Sequence, residues 1–347
     1  MMEDDMRMIL TAEEVEKAQN AHRTAVGEFM NSGSHPANVV GMGIGIKWRN
    51  ARPTGEPALV VLVTHKCARE ELSGSDLVPD KLADMQTDVL AIGYPLAGGG
   101  EPADNGIQTL SKRIRPVKGG FSVGHKDITA GTIGTCVYDI LPKAGDDEYG
   151  TGRPSKYYIL SNNHVLANSN LASIGDPILQ PGPDDGGKNP ADRIAKLSRF
   201  VPITFEPPIP RDRHHNLVDA AIAEGQFHDL DREIYWIGHL QGWRPRAFMT
   251  VGRYVKKTGR TTNFTIGRIT AINATVDISF GGGRTARFED QIITTNFSAG
   301  GDSGSLVTTL DNVAVGLLFA GSSVATIINH IENVRSLLQV EVAEKKL

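Results

Sequence analysis

Short apolar runs alternate with turns rich in Gly, Pro and Asp from about residue 117 onwards. At least seven of these runs have the length and β-branched content of strands, among them KYYILSNNHVL, NFTIGRITAINATVDISF and NVAVGLLFAG. Seven or more such runs in about 220 residues are typical of an all-β barrel or sandwich. The 38 glycines and 18 prolines support this interpretation, because turn residues at that density favour short strands over long helices.

Two segments have helical spacing instead. Residues 11–30 predict a helix capped by Thr11, with Glu14 three residues on as in a capping box. Near the C-terminus, residues 327–340 place four apolar side chains on one helical face, namely Ile327, Ile331, Val334 and Leu338. The pattern therefore predicts one helix at each end of a mainly β chain.

The segment before residue 117 has a different pattern. VVGMGIGIKW, PALVVLVTHK and TDVLAIG predict three strands, and a polar stretch at residues 68–73 is helix-like. LAGGGEPADNG has the composition of a linker. The predicted organisation is a sequence of four parts: an N-terminal helix in residues 1–35, a small α/β leader domain in 36–95, a linker in 96–116 and the main β domain in 117–347.

Composition and charge exclude several classes of partner. A net charge of −4 gives no electrostatic reason to expect binding to nucleic acid or to an anionic membrane. No apolar run reaches the roughly 18 residues of a membrane span, and MMEDDMRMIL lacks the pattern of a secretory signal. Cys67 and Cys136 are expected to be free, buried thiols. So few cysteines suit a reducing compartment, and we expect a cytoplasmic location.

The segment AGGDSGSLV, residues 299–307, offers a candidate nucleophile. A serine hydroxyl attacks a carbonyl only with a base nearby and with donors for the oxyanion. The glycines beside Ser303 let the backbone turn so that the amides of Gly301 and Ser303 face one point, and Asp302 is expected to hold the loop. Taken alone, the motif fits a glycine-rich turn without a chemical role equally well.

Two further segments supply a candidate base and its partner. In YYILSNNHVLAN an apolar strand leads directly into His164, and in NLVDAAIAE Asp219 lies within an apolar run. A buried carboxylate needs a partner, and a histidine N–H is a suitable one because the carboxylate then fixes the imidazole tautomer. Each residue alone fits a structural interpretation. Together, however, the order His, Asp, Ser is that of the chymotrypsin arrangement and not of subtilisin or the α/β-hydrolases.

SNNHVLAN, VDAAIA and AGGDSGSLV resemble the three catalytic motifs of the trypsin-like (chymotrypsin-fold) serine peptidases. RPVKGGFSVGH, GDPILQPGPDDGG, KTGRTTNFTIGRI and VGLLFAGSS also resemble one branch of them, the NARROW LEAF 1-like serine proteases of plants and bacteria. The resemblance implies a mainly β fold: a chymotrypsin-like double six-stranded β-barrel with a C-terminal helix, preceded by a small α/β leader domain and an N-terminal helix. The chain lacks an activation site before an Ile-Val-Gly-Gly start, so we do not expect maturation by insertion of a new N-terminus.

The resemblance further implies a serine endopeptidase that acts through the triad His164, Asp219 and Ser303 and an acyl-enzyme, with the amides of Gly301 and Ser303 as oxyanion hole. The expected partner is a protein or peptide substrate, with no cofactor, metal, nucleic acid or membrane, and assembly into a homo-oligomer is left open. Two alternatives remain. The first is a protease-fold module that binds peptides without cutting them. The second keeps the chemistry but restricts it to self-processing or to one cellular partner, and residues 1–95 then gate the cleft or recruit that partner.

The substrate pocket is predicted from positions relative to these motifs. In the family, the stretches before the nucleophile loop and on the following strand line the pocket for the residue before the cleaved bond. Here these positions are Phe297, Ser298, Phe319, Ala320 and Gly321. None of them is acidic, so we expect a preference for an apolar or small side chain over Arg or Lys.

Other polar segments have simpler interpretations. His125, His214, His215 and His239 lack the spacing of a zinc site and are expected at the surface or in loops. The basic segment VGRYVKKTGR is expected to form a solvated hairpin.

Overall fold

The computed structural model describes residues 9–31, 36–74, 76–99, 108–143, 150 and 152–347. Its α-helices are α1 (Ala12–Ala25), α2 (Asn163–Leu166) and α3 (Ile331–Leu338). Within the predicted linker of residues 96–116, residues 100–107 lie outside the described residues. No helix in the described ranges is both long enough and apolar enough to cross a membrane.

The strands before residue 180 are β1 (Val39–Arg49), β2 (Arg52–Val63), β3 (Lys81–Leu82), β4 (Met85–Ala91), β5 (Leu96–Ala97), β6 (Val117–Gly119), β7 (Ser122–His125), β8 (Gly131–Thr132), β9 (Thr135–Asp139), β10 (Tyr157–Ser161) and β11 (Pro177–Leu179). Those that follow are β12 (Arg193–Phe200), β13 (Ala221–Gly225), β14 (Leu230–Ile234), β15 (Gly242–Trp243), β16 (Tyr254–Gly259), β17 (Asn263–Ser279), β18 (Thr285–Thr295), β19 (Leu306–Thr309), β20 (Val313–Gly321), β21 (Ala325–His330) and β22 (Val340–Glu341).

The second half of the chain closes into a six-stranded barrel. Its strands follow the order β16-β19-β20-β21-β18-β17, and pairing of β16 with β17 closes the ring. Alternate side chains point inward, as the period of a strand requires, and form a continuous apolar core that includes Ile269, Val307, Val315 and Ile328. The closed ring leaves these six strands without a free edge along most of their length.

The first half of the main domain, together with β22 from its C-terminal end, forms a second sheet. Its order is β22-β9-β10-β13-β12-β11-β7-β8, with neighbours antiparallel wherever they pair. Val123, Ile159, Ile178 and Leu197 pack in its core. A curved antiparallel sheet beside a closed six-stranded barrel, with the short helix α3 near the end, is a mainly β, chymotrypsin-like double barrel. The predicted fold class is therefore confirmed.

The strands of residues 36–95 extend the sheet of the closed barrel. β1 pairs antiparallel with β17, β2 pairs with β1, and β4 runs parallel to β2. The polar stretch at 68–73 forms only a short 3₁₀ turn, Arg69–Glu71, because it has no apolar face with which to pack. The helix that packs against this sheet is α1, from before residue 36. The boundaries of the leader domain remain a prediction.

The N-terminal helix reaches Met30 as predicted, because a π-helical turn, Val26–Met30, continues α1; the C-terminal helix is shorter than predicted. At α1 the amide of Thr11 donates to Glu14 Oε2 at 2.8 Å and the amide of Glu14 donates to Thr11 Oγ1 at 3.3 Å, which confirms the capping box. The C-terminal helix begins at Ile331 and not at Ile327, because Ile327 belongs to β21 and pairs with β18 and β20. A β-branched run in an already paired edge gains more in the sheet than in a helix.

The two cysteines differ in exposure. Cys136 is a buried free thiol as predicted, and burial raises the pKa of its thiol to about 12. The prediction of a buried Cys67 is wrong: this thiol is exposed, because it follows β2 in a polar loop that covers no core.

Candidate active site

Three separate elements carry the predicted triad. His164 lies on the short helix α2, immediately after β10 of the first barrel. Asp219 lies just before β13, the strand that pairs with β10, so the two residues end up side by side. Ser303 lies in the loop between β18 and β19 of the second barrel. His164 and Asp219 are far apart in the sequence but close in space, because the paired strands β10 and β13 place them at the same edge of the sheet.

His164 and Asp219 are joined by two hydrogen bonds. His164 Nδ1 lies 2.5 Å from Asp219 Oδ2, and the backbone amide of His164 donates to Asp219 Oδ1 at 3.1 Å. The Asp219 side chain is fully buried, while that of His164 keeps 14 % of its surface exposed. A buried carboxylate that holds Nδ1 leaves Nε2 as the ring nitrogen that faces a reactant.

Further buried amides hold Asp219 in place. The side chain of Asn162 donates to the carbonyl of Asp219 at 2.7 Å, and the amide of Asp219 donates to Asn329 Oδ1 at 3.0 Å. Asn329 in turn donates to Gln291 Oε1 at 2.7 Å. Sequence analysis did not find these residues. The signal for Asn329 was a single amide side chain in a largely apolar strand, which costs free energy without a partner.

The nucleophile loop depends on two glycines with positive φ. Gly301 has φ +93° and Gly304 has φ +95°, and a Cβ on Gly304 would lie 2.0 Å from Ser161 Oγ. Only glycine fits this close approach to the first barrel. Within the described part of the chain, no hydrogen bond uses the amides of Gly301 and Ser303 as donors. These are the amides predicted to form the oxyanion hole.

Asp302 organises the same loop from beneath. Its carboxylate accepts the amides of Thr261 at 2.9 Å, Thr262 at 3.1 Å and Ala299 at 3.0 Å. Lys257 Nζ adds a bond of 3.1 Å, and both charged side chains are fully buried. Burial lowers the pKa of Lys257. The expectation of a solvated hairpin is therefore wrong for Lys257, because the buried charge of Asp302 draws this ammonium inward.

A threonine of the first barrel also holds this loop. The hydroxyl of Thr132 donates to the carbonyl of Gly301 at 2.8 Å, and its amide donates to the carbonyl of Ser303 at 2.7 Å. Sequence analysis did not single out Thr132, since a threonine in GTIGT carries no distinguishing pattern. It links the barrel of His164 to the loop of Ser303.

Ser303 and His164 line one cavity of about 390 Å³ between the two sheets. Ser303 is only 1 % exposed, and its Oγ donates to the carbonyl of Phe319 at 3.2 Å. His164 Nε2 is buried and has no hydrogen-bond partner among the described residues. The serine hydroxyl is thus directed at a backbone carbonyl and not at the imidazole. Gly98 and Gly99 also line this cavity.

Two loops with opposite charges form another part of the wall. Arg260 Nε donates to Asp185 Oδ2 at 2.7 Å, and this ion pair raises the pKa of Arg260. Asp184 lines the cavity beside Arg260 and is itself exposed. Nothing in the sequence of PGPDDGG, residues 181–187, places it at the site.

The residues of the predicted pocket do not line this cavity with their side chains. Phe297 packs against Gly267, and Ser298 Oγ lies 2.7 Å from Thr326 Oγ1. Phe319 points into the core, where its ring lies 4.7 Å from that of Phe288. Ala320 is fully buried, and Gly321 lies opposite Leu96 in a strand pair. In Phe319 to Gly321 the backbone, and not the side chains, faces the chain segments beside Ser303. Their part in a substrate pocket remains a prediction.

Of the four histidines that were expected at the surface or in loops, two are buried. His125 is 1 % exposed and its Nε2 lies 3.1 Å from Asp176 Oδ2, and His214 is buried against the carbonyl of Ile209. Each is drawn inward by a polar partner. His215 and His239 are exposed as expected. Among the described residues no three His, Cys, Asp or Glu side chains lie together as a metal site.

Comparison with known proteins gives similarity to solved structures alone. No family model and no curated protein matches the chain. Thermobifida fusca protease A is similar with a TM-score of 0.44 and 14 % identity, covering 66 % of this chain and 99 % of that one. A glutamic acid-specific serine protease, described as using a histidine triad in substrate binding, gives 0.42 and 18 %, covering 65 % and 98 %. Cellulomonas bogoriensis chymotrypsin gives 0.41 and 16 %, covering 66 % and 99 %.

The solved structures to which this chain is similar are thus serine proteases of the chymotrypsin fold. The finer resemblance to the NARROW LEAF 1-like branch remains a prediction.

Proposed function

We propose that this protein is a serine endopeptidase in which His164, Asp219 and Ser303 form the catalytic triad. The observation that carries the proposal is one piece of geometry. Asp219 holds His164 Nδ1 at 2.5 Å, and the opposite side of this imidazole shares a cavity with Ser303. A buried carboxylate, an imidazole with a free Nε2 and a hydroxyl in a glycine-rich turn are the components of acyl transfer.

Catalysis begins when Ser303 Oγ rotates from the carbonyl of Phe319 towards His164 Nε2. His164 takes the hydroxyl proton while Oγ bonds to the peptide carbonyl carbon, and Asp219 stabilises the imidazolium. The free amides of Gly301 and Ser303 receive the negative oxygen, worth roughly 3–4 kcal/mol for each good donor. His164 then protonates the leaving amine as the C–N bond breaks. Water hydrolyses the acyl ester by the same steps and restores the hydroxyl.

The proposed substrates are extended peptides, with a small or apolar residue before the cleaved bond. The described lining of the cavity carries one exposed carboxylate, Asp184, on the same part of the wall as Arg260. We keep the assignment to the NARROW LEAF 1-like branch and the cytoplasmic location as parts of this proposal.

A fluorophosphonate probe tests the proposal, because it forms a bond only with an activated serine. We expect the probe to label Ser303, as mapped by peptide mass spectrometry, and labelling to disappear in Ser303→Ala and His164→Ala. Ser122→Ala is the matched control: this buried serine accepts the amide of Gly182 at 2.9 Å in the first barrel. Labelling that survives Ser303→Ala would remove the assignment.

One observation supports a second candidate function. Because Ser303 bonds to the carbonyl of Phe319 and not to His164, the site as it stands is compatible with a module that binds peptides without cutting them. In that case peptides bind to the cleft, but the probe labels no serine.

A further inference from the structure

One edge of β20 changes partner beside the nucleophile. β19 covers this edge as far as the pair of Leu306 with Leu317. Beyond it, the edge is taken by β5 from the predicted linker, with Ala97 opposite Ala320 and Leu96 opposite Gly321. An exposed strand edge next to a nucleophile is where an extended peptide adds as a further strand. In this protein the chain itself fills that place.

The segment ends at the carbonyl oxygen that also accepts the hydroxyl of Ser303. The amide of Gly98 donates to the carbonyl of Phe319 at 3.1 Å, and Ser303 Oγ donates to the same oxygen at 3.2 Å. Gly99 lies against the nucleophile loop, since a Cβ at this position would be 3.2 Å from the carbonyl carbon of Ala299. A peptide that needs this carbonyl has to displace Gly98 first.

The segment turns away instead of crossing the serine. Gly98 and Gly99 have φ of +91° and +79°, and the amide of Gly99 donates back to the carbonyl of Leu96 at 3.0 Å. Residues 96–99 therefore form a four-residue turn and are not extended as a bound substrate peptide would be. The segment therefore fills the strand edge beside Ser303 but is not aligned for cleavage.

Contacts upstream fix the segment in position. The amide of Ser279 donates to the carbonyl of Pro95 at 3.0 Å, and Ser322 Oγ donates to the carbonyl of Ile92 at 2.5 Å. Because the segment belongs to the same chain, its pairing with β20 is intramolecular and is not weakened by dilution of the protein.

We propose that residues 95–99 are an internal competitor of peptide binding, which occupies the edge of Phe319 to Gly321 until a peptide or partner displaces it. The competed ligand is an extended peptide with small residues in the positions of Ala97 and Gly98. The inference rests on the proposed function for the identity of the cleft, but its binding test does not require catalysis.

The test measures peptide binding in a Ser303→Ala background, where no turnover occurs. The probe is a fluorescein-labelled octapeptide with the sequence of residues 92–99, IGYPLAGG, followed by fluorescence polarisation. Gly98→Pro removes the amide that binds Phe319 and cannot adopt φ +91°. Gly238→Pro is matched: it also has positive φ (+88°), and its amide donates to Ile234 at 2.7 Å, but it does not line the cavity.

We expect Gly98→Pro to tighten binding of the octapeptide by at least about tenfold, because the fraction of molecules with an open edge rises. Gly238→Pro should leave the affinity within about twofold of the background. Equal affinity in all three proteins would overturn the inference. A second variant, A97C/A320C in a Cys67→Ser background, fixes the segment with a disulfide. It should lose binding when oxidised and regain it on reduction, and binding that is the same in both states would also overturn the inference.

The two proposals fail separately. If Gly98→Pro tightens binding but the fluorophosphonate labels no serine in a chain with Ser303 intact, the internal competitor stands and the peptidase does not. If the probe labels Ser303 and Gly98→Pro leaves peptide affinity unchanged, the peptidase stands and the internal competitor does not.

Discussion

The two halves of the candidate site are in different states. On the first barrel, His164 and Asp219 are joined by two hydrogen bonds and supported by buried amides. On the second barrel, the loop of Ser303 is equally well held, but its hydroxyl bonds to the carbonyl of Phe319 and the chain's own segment covers the strand beside it. The pair of His164 and Asp219 is therefore complete. The loop of Ser303 is complete too, but the strand edge beside it is covered by residues of the same chain.

This difference separates two requirements of catalysis. Orientation of charged groups depends on burial and hydrogen bonding and is complete before a substrate arrives. Under the proposal, access of a peptide to the edge of Phe319 to Gly321 depends on displacing β5, a strand of only two residues. Variants that disturb the orientation of the charged groups should change the rate of the chemical step. Variants that open or close the strand edge should change peptide affinity.

The largest expected effect comes from Asp219→Asn. The amide side chain favours the wrong imidazole tautomer, so we expect kcat to fall by about 10⁴-fold with little change in KM. Kinetics with a fluorogenic peptide in a Gly98→Pro background measure both constants. Asp176→Asn is the matched control, because Asp176 binds the other buried histidine of this barrel, His125. A loss of similar size in Asp176→Asn would mean that the rate reports stability of the barrel and not the triad.

A smaller effect is expected when the buried ion pair below the nucleophile loop is broken. Lys257→Met leaves the charge of Asp302 uncompensated, which costs about 3–5 kcal/mol of stability. Because Asp302 holds the loop that bears the amides proposed as the oxyanion hole, kcat should fall by about 10²-fold. Lys256→Met is the control, since this neighbour reaches outward to the carbonyl of Leu310. Thermal unfolding and kcat unchanged by Lys257→Met would contradict the account of the loop.

The smallest expected effect is a loss of stability on the second-barrel side in acid. Burial lowers the pKa of His22 and of His330, so the unfolded chain binds more protons than the folded one below about pH 6.5. The free energy of unfolding should therefore decrease as the pH decreases in that range, by at most about 1.4 kcal/mol per histidine and pH unit. Hydrogen exchange at pH 7.5 and 5.5 should show β1 and β21 losing protection first. His22→Gln with His330→Gln should reduce the effect, whereas His228→Gln, on an exposed histidine, should not.

Much of the fold could be predicted because its signals are local. Strand length, β-branched content and turn residues indicated the barrels, and the pattern at Thr11 and Glu14 gave the capping box. The limits of the C-terminal helix could not be predicted, because Ile327 fits a helical face and a sheet edge equally well until its partners in β18 and β20 are known. Tertiary pairing decided between two periodicities that the sequence allowed.

Only the proposed reacting groups of the candidate site could be predicted from the sequence. The order of His164, Asp219 and Ser303 carries meaning in the sequence, whereas Asn329 and Thr132 acquire theirs through contacts across more than one hundred residues of chain. Burial of Lys257 could not be predicted because it depends on the position of Asp302. Occupation of the cleft by residues 95–99 had no sequence signal, since its composition is that of an ordinary linker.

The most direct measurement is the search for an acyl-enzyme. The protein is mixed with an activated ester, p-nitrophenyl acetate, quenched in acid during the first turnovers and mapped by peptide mass spectrometry. The account predicts an acetyl group on Ser303 in the unaltered chain, formed faster in Gly98→Pro and absent in His164→Ala. An ester-reactive residue elsewhere, or acetylation of Ser303 that proceeds unchanged without the imidazole of His164, would contradict it.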